Sequence, residues 1–157
     1  MPTARTTATE TLAVSRIPSP DDDAGPLVVL IAHDRGTEDA HAAALTDCVV
    51  DLLSRLRHLV YEEEHAEPLR VAVVVELTRD NGTEARAFRS ALAEAVRGIC
   101  HGLTREIGRG LRISTILCER ADEDTVGATL RFLASGQSNF IAGATLDLRA
   151  PEGGPIR

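Results

Sequence analysis

The chain has 157 residues, enough for one domain with a hydrophobic core, and 43% of them are hydrophobic, as in ordinary globular proteins. A net charge of −7 argues against nucleic acid and anionic membranes as partners, because both require a basic surface. No apolar run approaches the about 20 residues of a membrane span, and three cysteines without metal-like spacing predict reduced thiols, no metal and a cytoplasmic location.

The first segment, residues 1–26, is rich in Thr, Ala, Ser and Pro and contains the acidic run 21–23. This composition predicts a flexible tail or linker. One short patch within it, TLAVSRI at residues 11–17, has the character of a β-strand. Regular patterning begins at residue 27, so we predict one domain over 27–150 and a C-terminal tail over 151–157.

Short continuous apolar runs at residues 26–34 and 69–77 predict strands that are buried, the first of them on both faces. A third and a fourth strand are predicted at 111–117 and 142–149. Between them, apolar residues recur at steps of three and four, which is the helical pattern. The helices are predicted at 38–61, 83–107 and 121–135. Gly108 and Gly110 predict the end of the second helix, and Asp122 predicts the N-cap of the third.

Strands that alternate with helices favour a parallel sheet with helices on both faces. The predicted fold class is therefore α/β, a Rossmann-like three-layer domain with four parallel strands and a possible N-terminal edge strand. Ligands of such sheets bind beyond the carboxyl ends of the strands. The polar residues predicted there are His33, Asp34, Glu76, Thr78, Cys118 and Glu119. They suit acid/base or nucleophilic chemistry, or they are polar because strand ends are exposed.

Two segments resemble the short-chain dehydrogenase/reductase family. HGLTREIGRGLRISTIL, at 101–117, looks like the family's segment from the catalytic helix into the sixth strand. FLASGQSNFIAGATLDL, at 132–148, looks like the family's ending FLAS...ITG...L.VDGG. With a weaker likeness over 27–78, the resemblance covers roughly 120 residues. It implies the C-terminal half of the family's Rossmann-type domain, so that the chain is a truncated relative.

The groups with which the family performs hydride transfer have no counterpart in the sequence. The glycine-rich turn after a first strand is missing, the family's tyrosine and lysine fall on Ala93 and Arg97, and its serine falls near 78–80, where none is present. The 17 residues that make up the Lys and Arg count are all arginine, whose very high pKa prevents proton relay near neutrality. We therefore expect no dinucleotide cofactor and no NAD(P)-dependent oxidoreductase activity from the chain by itself.

The resemblance also implies an oligomer, because the family packs its two long helices against a second subunit. The expected partner is a second copy of the chain or a full-length short-chain dehydrogenase/reductase. The predicted interface residues are Leu45, Val49, Leu52, Leu56, Phe88, Ala91, Ala95, Gly98 and Gly102. The last four are small residues that permit close backbone approach. The alternative is that this small-residue stripe lies against the chain's own sheet.

In a truncated sheet, the strand LVVLIA becomes a long apolar edge, which must be covered in water. Either TLAVSRI folds back beside it as an antiparallel strand, or a partner chain covers it; we favour the first. The leading hypothesis is a non-catalytic accessory subunit, a pseudoenzyme that acts in assembly or regulation. The alternative hypothesis is a small cofactor-independent isomerase, cyclase or lyase that uses the polar strand ends.

Overall fold

The computed structural model describes residues 12–21, 25–33, 41–65, 68–77, 82–119 and 122–149. Its centre is a five-stranded sheet in which the strands follow chain order. The four strands from β2 to β5 are parallel, and β1 is antiparallel to β2. The strands are β1 (Leu12–Ile17), β2 (Leu27–His33), β3 (Leu69–Leu77), β4 (Leu111–Glu119) and β5 (Thr145–Asp147). The predicted α/β class with four parallel strands and an N-terminal edge strand is confirmed.

Three helices connect the parallel strands, and they lie on both faces of the sheet. They are α1 (His41–Tyr61), α2 (Thr83–Ile107) and α3 (Glu123–Ala134). The predicted start of the first helix at 38 lies outside the described residues. Helix α2 has the predicted bounds. It ends at Gly108, whose φ of 67° suits a residue without a Cβ and whose N–H donates to the Thr104 carbonyl.

Helix α3 begins directly after Asp122, as predicted, but the Asp122 side chain makes no capping hydrogen bond. Asp122 therefore occupies the N-cap position, but the prediction that its side chain caps the helix is wrong. The first hydrogen bond of the helix runs from the N–H of Val126 to the Asp122 carbonyl at 3.0 Å.

Two apolar clusters fill the space above and below the sheet. Along β3, Val71, Val73 and Val75 belong to the cluster that includes α1 and α2, whereas Ala72 and Val74 belong to the cluster that includes α3. Successive side chains of a strand point to opposite faces, so both faces of this strand are covered. This double burial explains why its sequence is a continuous apolar run rather than an alternating one.

Strand β1 covers the edge of β2, with a register that runs from Leu12 opposite Ala32 to Ile17 opposite Leu27. The predicted intramolecular, antiparallel cover is confirmed. The Arg16 guanidinium also donates to the Glu63 carboxylate at 2.7 Å, which links β1 to the segment after α1.

Strand β5 is shorter than the eight residues predicted, because only 145–147 have strand geometry. Its pairing with β4 continues at both ends as single backbone hydrogen bonds. The N–H of Gly143 donates to the Ile113 carbonyl at 2.8 Å, and the N–H of Leu148 donates to the Leu117 carbonyl at 2.8 Å. Gly143 has a φ of 69°, which bends the chain away from strand geometry before β5 begins.

A buried arginine on β3 holds the end of α3. Arg70 is only 5% exposed. Its guanidinium donates to the carbonyls of Leu133, Ala134 (3.0 Å) and Ser135 (2.9 Å), and it lies 3.3 Å from the Ser138 hydroxyl. These carbonyls have no partner within the helix, and they carry the negative end of the helix dipole. Arg70 therefore satisfies the end of α3 and fixes its position on the sheet.

Two serines complete the same set of hydrogen bonds. The Ser138 hydroxyl donates to the Leu133 carbonyl at 2.8 Å, and the Ser19 hydroxyl donates to the Ala134 carbonyl at 3.1 Å. Burial, and then the neighbouring charge of Arg112, lower the pKa of Arg70, while the charge of Asp21 opposes this effect. The guanidinium nevertheless stays charged at neutral pH, because its ordinary pKa is so high.

Replacing Arg70 tests how much of the fold depends on this contact. Arg70→Met keeps the aliphatic stem but removes the charged donor that three carbonyls share, which then keep only their bonds to Ser19 and Ser138 among the described residues. We therefore expect a loss of roughly 2 kcal/mol in the free energy of unfolding. Urea unfolding followed by circular dichroism measures it. Arg109→Met, at an exposed arginine between α2 and β4, is the matched control and should change stability by less than about 0.5 kcal/mol. Equal stability of the two variants would contradict the assignment.

Candidate functional site

The sheet brings three of the predicted strand-end residues into one row. His33 pairs with Glu76 across β2 and β3, and Glu76 pairs with Cys118 across β3 and β4. Asp34 lies outside the described residues, as do Thr78 and the segment that follows it. The row lies at the carboxyl ends of the parallel strands, where ligands of such sheets bind.

Glu119 does not join this row. It pairs with Leu77, one residue further along the strands. Because successive side chains of a strand point to opposite faces, Glu119 points away from the face of Cys118. Cys118 packs in the cluster that includes α3, whereas Leu77 belongs to the cluster of α1 and α2. The predicted set is therefore divided between the two faces of the sheet.

The Cys118 thiol has the wrong protonation state for a nucleophile. Cys118 is 1% exposed, and its thiol donates to the Val75 carbonyl, with 3.7 Å between sulfur and oxygen. Burial raises the pKa of the Cys118 thiol to about 11, and the charges of Glu76 and Asp122 add to this effect. At pH 7 only about one thiol in ten thousand is ionised at such a pKa. Within the row, general acid/base chemistry at Glu76 is favoured over nucleophilic attack by sulfur.

The other two cysteines are also buried, and burial raises the pKa of both the Cys48 and Cys100 thiols to about 11. The three cysteines are free thiols. The described part of the chain contains no cluster of three or more His, Cys, Asp or Glu side chains arranged to hold a metal ion.

The positions that the family resemblance assigns to a catalytic tyrosine and lysine lie on α2. Ala93 is 6% exposed and packs in the core. Arg97 is exposed, and its guanidinium forms an ion pair with Glu94 at 3.5 Å. Neither side chain offers a proton that is transferable near neutral pH.

The predicted interface residues fall into two groups. Leu52, Leu56 and Phe88 are at most 7% exposed and pack in the chain's own core. This corrects their assignment to an intermolecular surface, because their side chains are already covered. Leu45 and Val49 are partly buried.

The small-residue stripe of α2 is not covered by the described part of the chain. Ala91, Gly98 and Gly102 are exposed, and Ala95 is partly buried. A Cβ added at either glycine would meet no atom within 4 Å apart from the helix's own neighbouring backbone. The alternative prediction, that the stripe lies against the chain's own sheet, is therefore wrong.

Two further aliphatic side chains are exposed on α1, in addition to Tyr61 at its end. Val50 is 54% exposed and Leu53 is 45% exposed. Neither was predicted as an interface residue, since both lie off the core-facing stripe of Leu52 and Leu56. The signal was present, because apolar residues outside the core stripe of an amphipathic helix indicate a second contact face. We call the exposed set Val50, Leu53, Ala91, Gly98 and Gly102 the outer helix surface.

A cleft of about 370 Å³ lies at the amino-terminal end of β3, away from the strand-end row. Val28, Leu59 and Leu69 contribute apolar walls, and the Arg16–Glu63 ion pair lies at the same cleft. It was not predicted from the sequence, because its lining joins segments that are distant in the chain: Arg16, residues 25–28, residues 59–65 and residues 68–70.

Comparisons with known proteins place the chain in no family. No protein-family model matches it, and no curated protein matches it. Among solved structures it is similar to one described as "The structure of BdcA (YjgI) from E. coli", with 19% sequence identity and a TM-score of 0.46. The match covers 69% of this chain and 49% of that protein, so the chain spans about half of that protein's length. No helix in the described ranges has the length and apolar character needed to cross a bilayer.

Thiol reactivity tests the protonation state of the cysteines. Because burial raises each thiol pKa from 9.0 to about 11, we expect about 100-fold less thiolate at pH 8 in the folded protein than in the unfolded chain. Reaction with 5,5′-dithiobis(2-nitrobenzoic acid) should be slow in buffer and complete within minutes in urea. Fast reaction of one thiol in the folded protein, lost in Cys118→Ser, would identify Cys118 as a nucleophile and contradict this assignment.

Proposed function

We propose that this chain is a non-catalytic relative of the short-chain dehydrogenase/reductases that acts in assembly or regulation. In this proposal it associates through the outer helix surface with a second copy of itself or with a full-length reductase. One observation carries the proposal: apolar residues of α1 and small residues of α2 are exposed.

Exposed apolar area of this kind is costly in water and is a common mark of a contact surface. Leu53 and Val50 provide the apolar side chains. Gly98 and Gly102 have no side chain, and the space around them is open, so another chain could approach the helix backbone closely at these positions. An interior glycine costs a helix about 1 kcal/mol relative to alanine, so two of them in α2 favour a packing role.

The chemistry of the chain supports the non-catalytic part of the proposal. Ala93 and Arg97 stand where the resemblance assigns the catalytic tyrosine and lysine, and the Cys118 thiol has a pKa of about 11. A calorimetric titration with NADH and NADPH should show no saturable uptake, and saturable binding of either nucleotide would contradict the proposal.

Substitutions on the outer helix surface separate association from folding. Leu53→Glu places a charge on the apolar contact and should weaken association roughly tenfold or more. Gly98→Leu should also disrupt association. Since space is open around Gly98, it should stabilise the folded monomer by about 1 kcal/mol through its better helix propensity. Sedimentation velocity and native mass spectrometry measure assembly, first alone and then with a reductase encoded beside it in its own host.

Phe140→Glu is the matched control for these substitutions. Phe140 is 83% exposed and lies after α3, outside the outer helix surface. It should leave assembly unchanged. A monomer under every condition, with the natural partner present, or a dimer that is unaffected by Leu53→Glu and Gly98→Leu, would contradict the proposal.

A second candidate function is a small cofactor-independent isomerase, cyclase or lyase. It is favoured by the register that sets His33, Glu76 and Cys118 in one row at the strand ends. Mass spectrometry of a host metabolite extract incubated with the protein provides the test. Turnover that is lost in Glu76→Gln, retained in Glu119→Gln and accompanied by unchanged assembly would favour this candidate, because Glu119 points to the opposite face.

A further inference from the structure

A second cluster of polar side chains lies at the amino-terminal ends of β3 and β4, far along the strands from the row of Glu76 and Cys118. Arg70 and Arg112 are neighbours in the register of the two strands. Ser114 follows two residues after Arg112, so both lie on the face of the sheet that α3 covers. Together with Ser138 they line a small cleft whose other walls are apolar.

The charge of this cleft is positive. Its described lining contains two guanidinium groups and no carboxylate. Arg70 is committed to the end of α3, where it binds three carbonyls. Arg112 is different: it is half-buried and forms neither a hydrogen bond nor an ion pair with any described residue. Asp21 is the described acid whose charge acts on Arg70, and it is exposed.

The Ser114 hydroxyl is an independent sign that something polar belongs here. It is 4% exposed and lines the cleft, yet it makes no hydrogen bond within the described part of the chain. Burying a hydroxyl without a partner costs free energy, so such groups are rare in folded proteins. An acceptor that reaches Ser114 from the cleft would remove this cost.

The size of the cleft limits what can enter. Its volume of about 10 Å³ admits roughly one oxygen atom or water molecule. A ligand must therefore place one oxygen between Arg112 and Ser114 while the rest of the molecule stays at the surface. A negatively charged oxygen fits both requirements, since it accepts from the hydroxyl and pairs with the guanidinium.

We propose that Arg112 and Ser114 form an oxyanion-binding site, backed by Arg70 and Ser138, that takes a phosphate or carboxylate group. The site is separate from the outer helix surface and from the strand-end row, so it does not depend on the proposed function. Arg70 holds the wall of the site in place through α3, and Arg112 and Ser114 make the contacts to the anion.

Thermal unfolding with added anions tests the site, with potassium phosphate, sodium acetate and sodium chloride compared at equal ionic strength. At an oxyanion concentration about ten times Kd, the Tm of the wild-type chain should rise by roughly 3 to 5 °C. Arg112→Gln and Ser114→Ala should abolish this rise. Arg109→Gln and Ser90→Ala, at exposed positions, are the matched controls and should retain it. Whichever of phosphate and acetate acts at the lower concentration identifies the class of ligand.

The two site variants carry a second prediction in the absence of any anion. Ser114→Ala removes an unsatisfied buried hydroxyl, and Arg112→Gln removes a like charge beside Arg70, so both should be at least as stable as the wild-type chain. Destabilisation by either substitution would show a structural role and overturn the proposal. So would an oxyanion effect of equal size in the wild-type chain and both site variants.

Discussion

The contact between Arg70 and the end of α3 is the constraint on which one half of the structure depends. Helix α3 is a 12-residue helix that packs on its face of the sheet, opposite the longer α1 and α2. The buried guanidinium on β3 satisfies the carbonyls at its end, so the helix ends at a defined place above the sheet. The chain then passes Ser138 and reaches β5, whose position beside β4 follows from where α3 ends.

The two faces of the sheet carry different side chains because two long helices pack on one face and one short helix packs on the other. The face under α1 and α2 is packed with aliphatic side chains, such as Leu52, Leu56 and Val73. The face under α3 carries Arg70, Arg112, Ser114, Glu76 and Cys118 in addition to its smaller apolar cluster. A charged group is tolerated in a sheet only where helix ends, solvent or a ligand can pair it. The less completely covered face provides such places at both ends of the strands.

The outer helix surface results from the opposite situation. Helices α1 and α2 each pack one stripe of side chains against the sheet. Because α2 is 25 residues long, many of its other residues remain exposed. Gly98 and Gly102 of α2 are exposed and add no side chain, and the exposed Leu53 of α1 adds apolar area. Burying a surface of small and apolar residues against a second surface lowers the free energy, because apolar area is removed from water.

The sequence alone determined the α/β class, the order of the elements and the helix end at Gly108, because these depend on local patterns: continuous apolar runs, apolar steps of three and four, and a glycine that tolerates positive φ. It also determined that Ala93 and Arg97 cannot transfer protons. Only the tertiary structure decided which helical residues are covered. It placed Leu52 and Phe88 in the core and Leu53 outside, since burial depends on the whole sheet beneath a helix. It also brought Arg70 to the end of α3 and beside Arg112, because such contacts join residues that are distant in sequence or set by strand register.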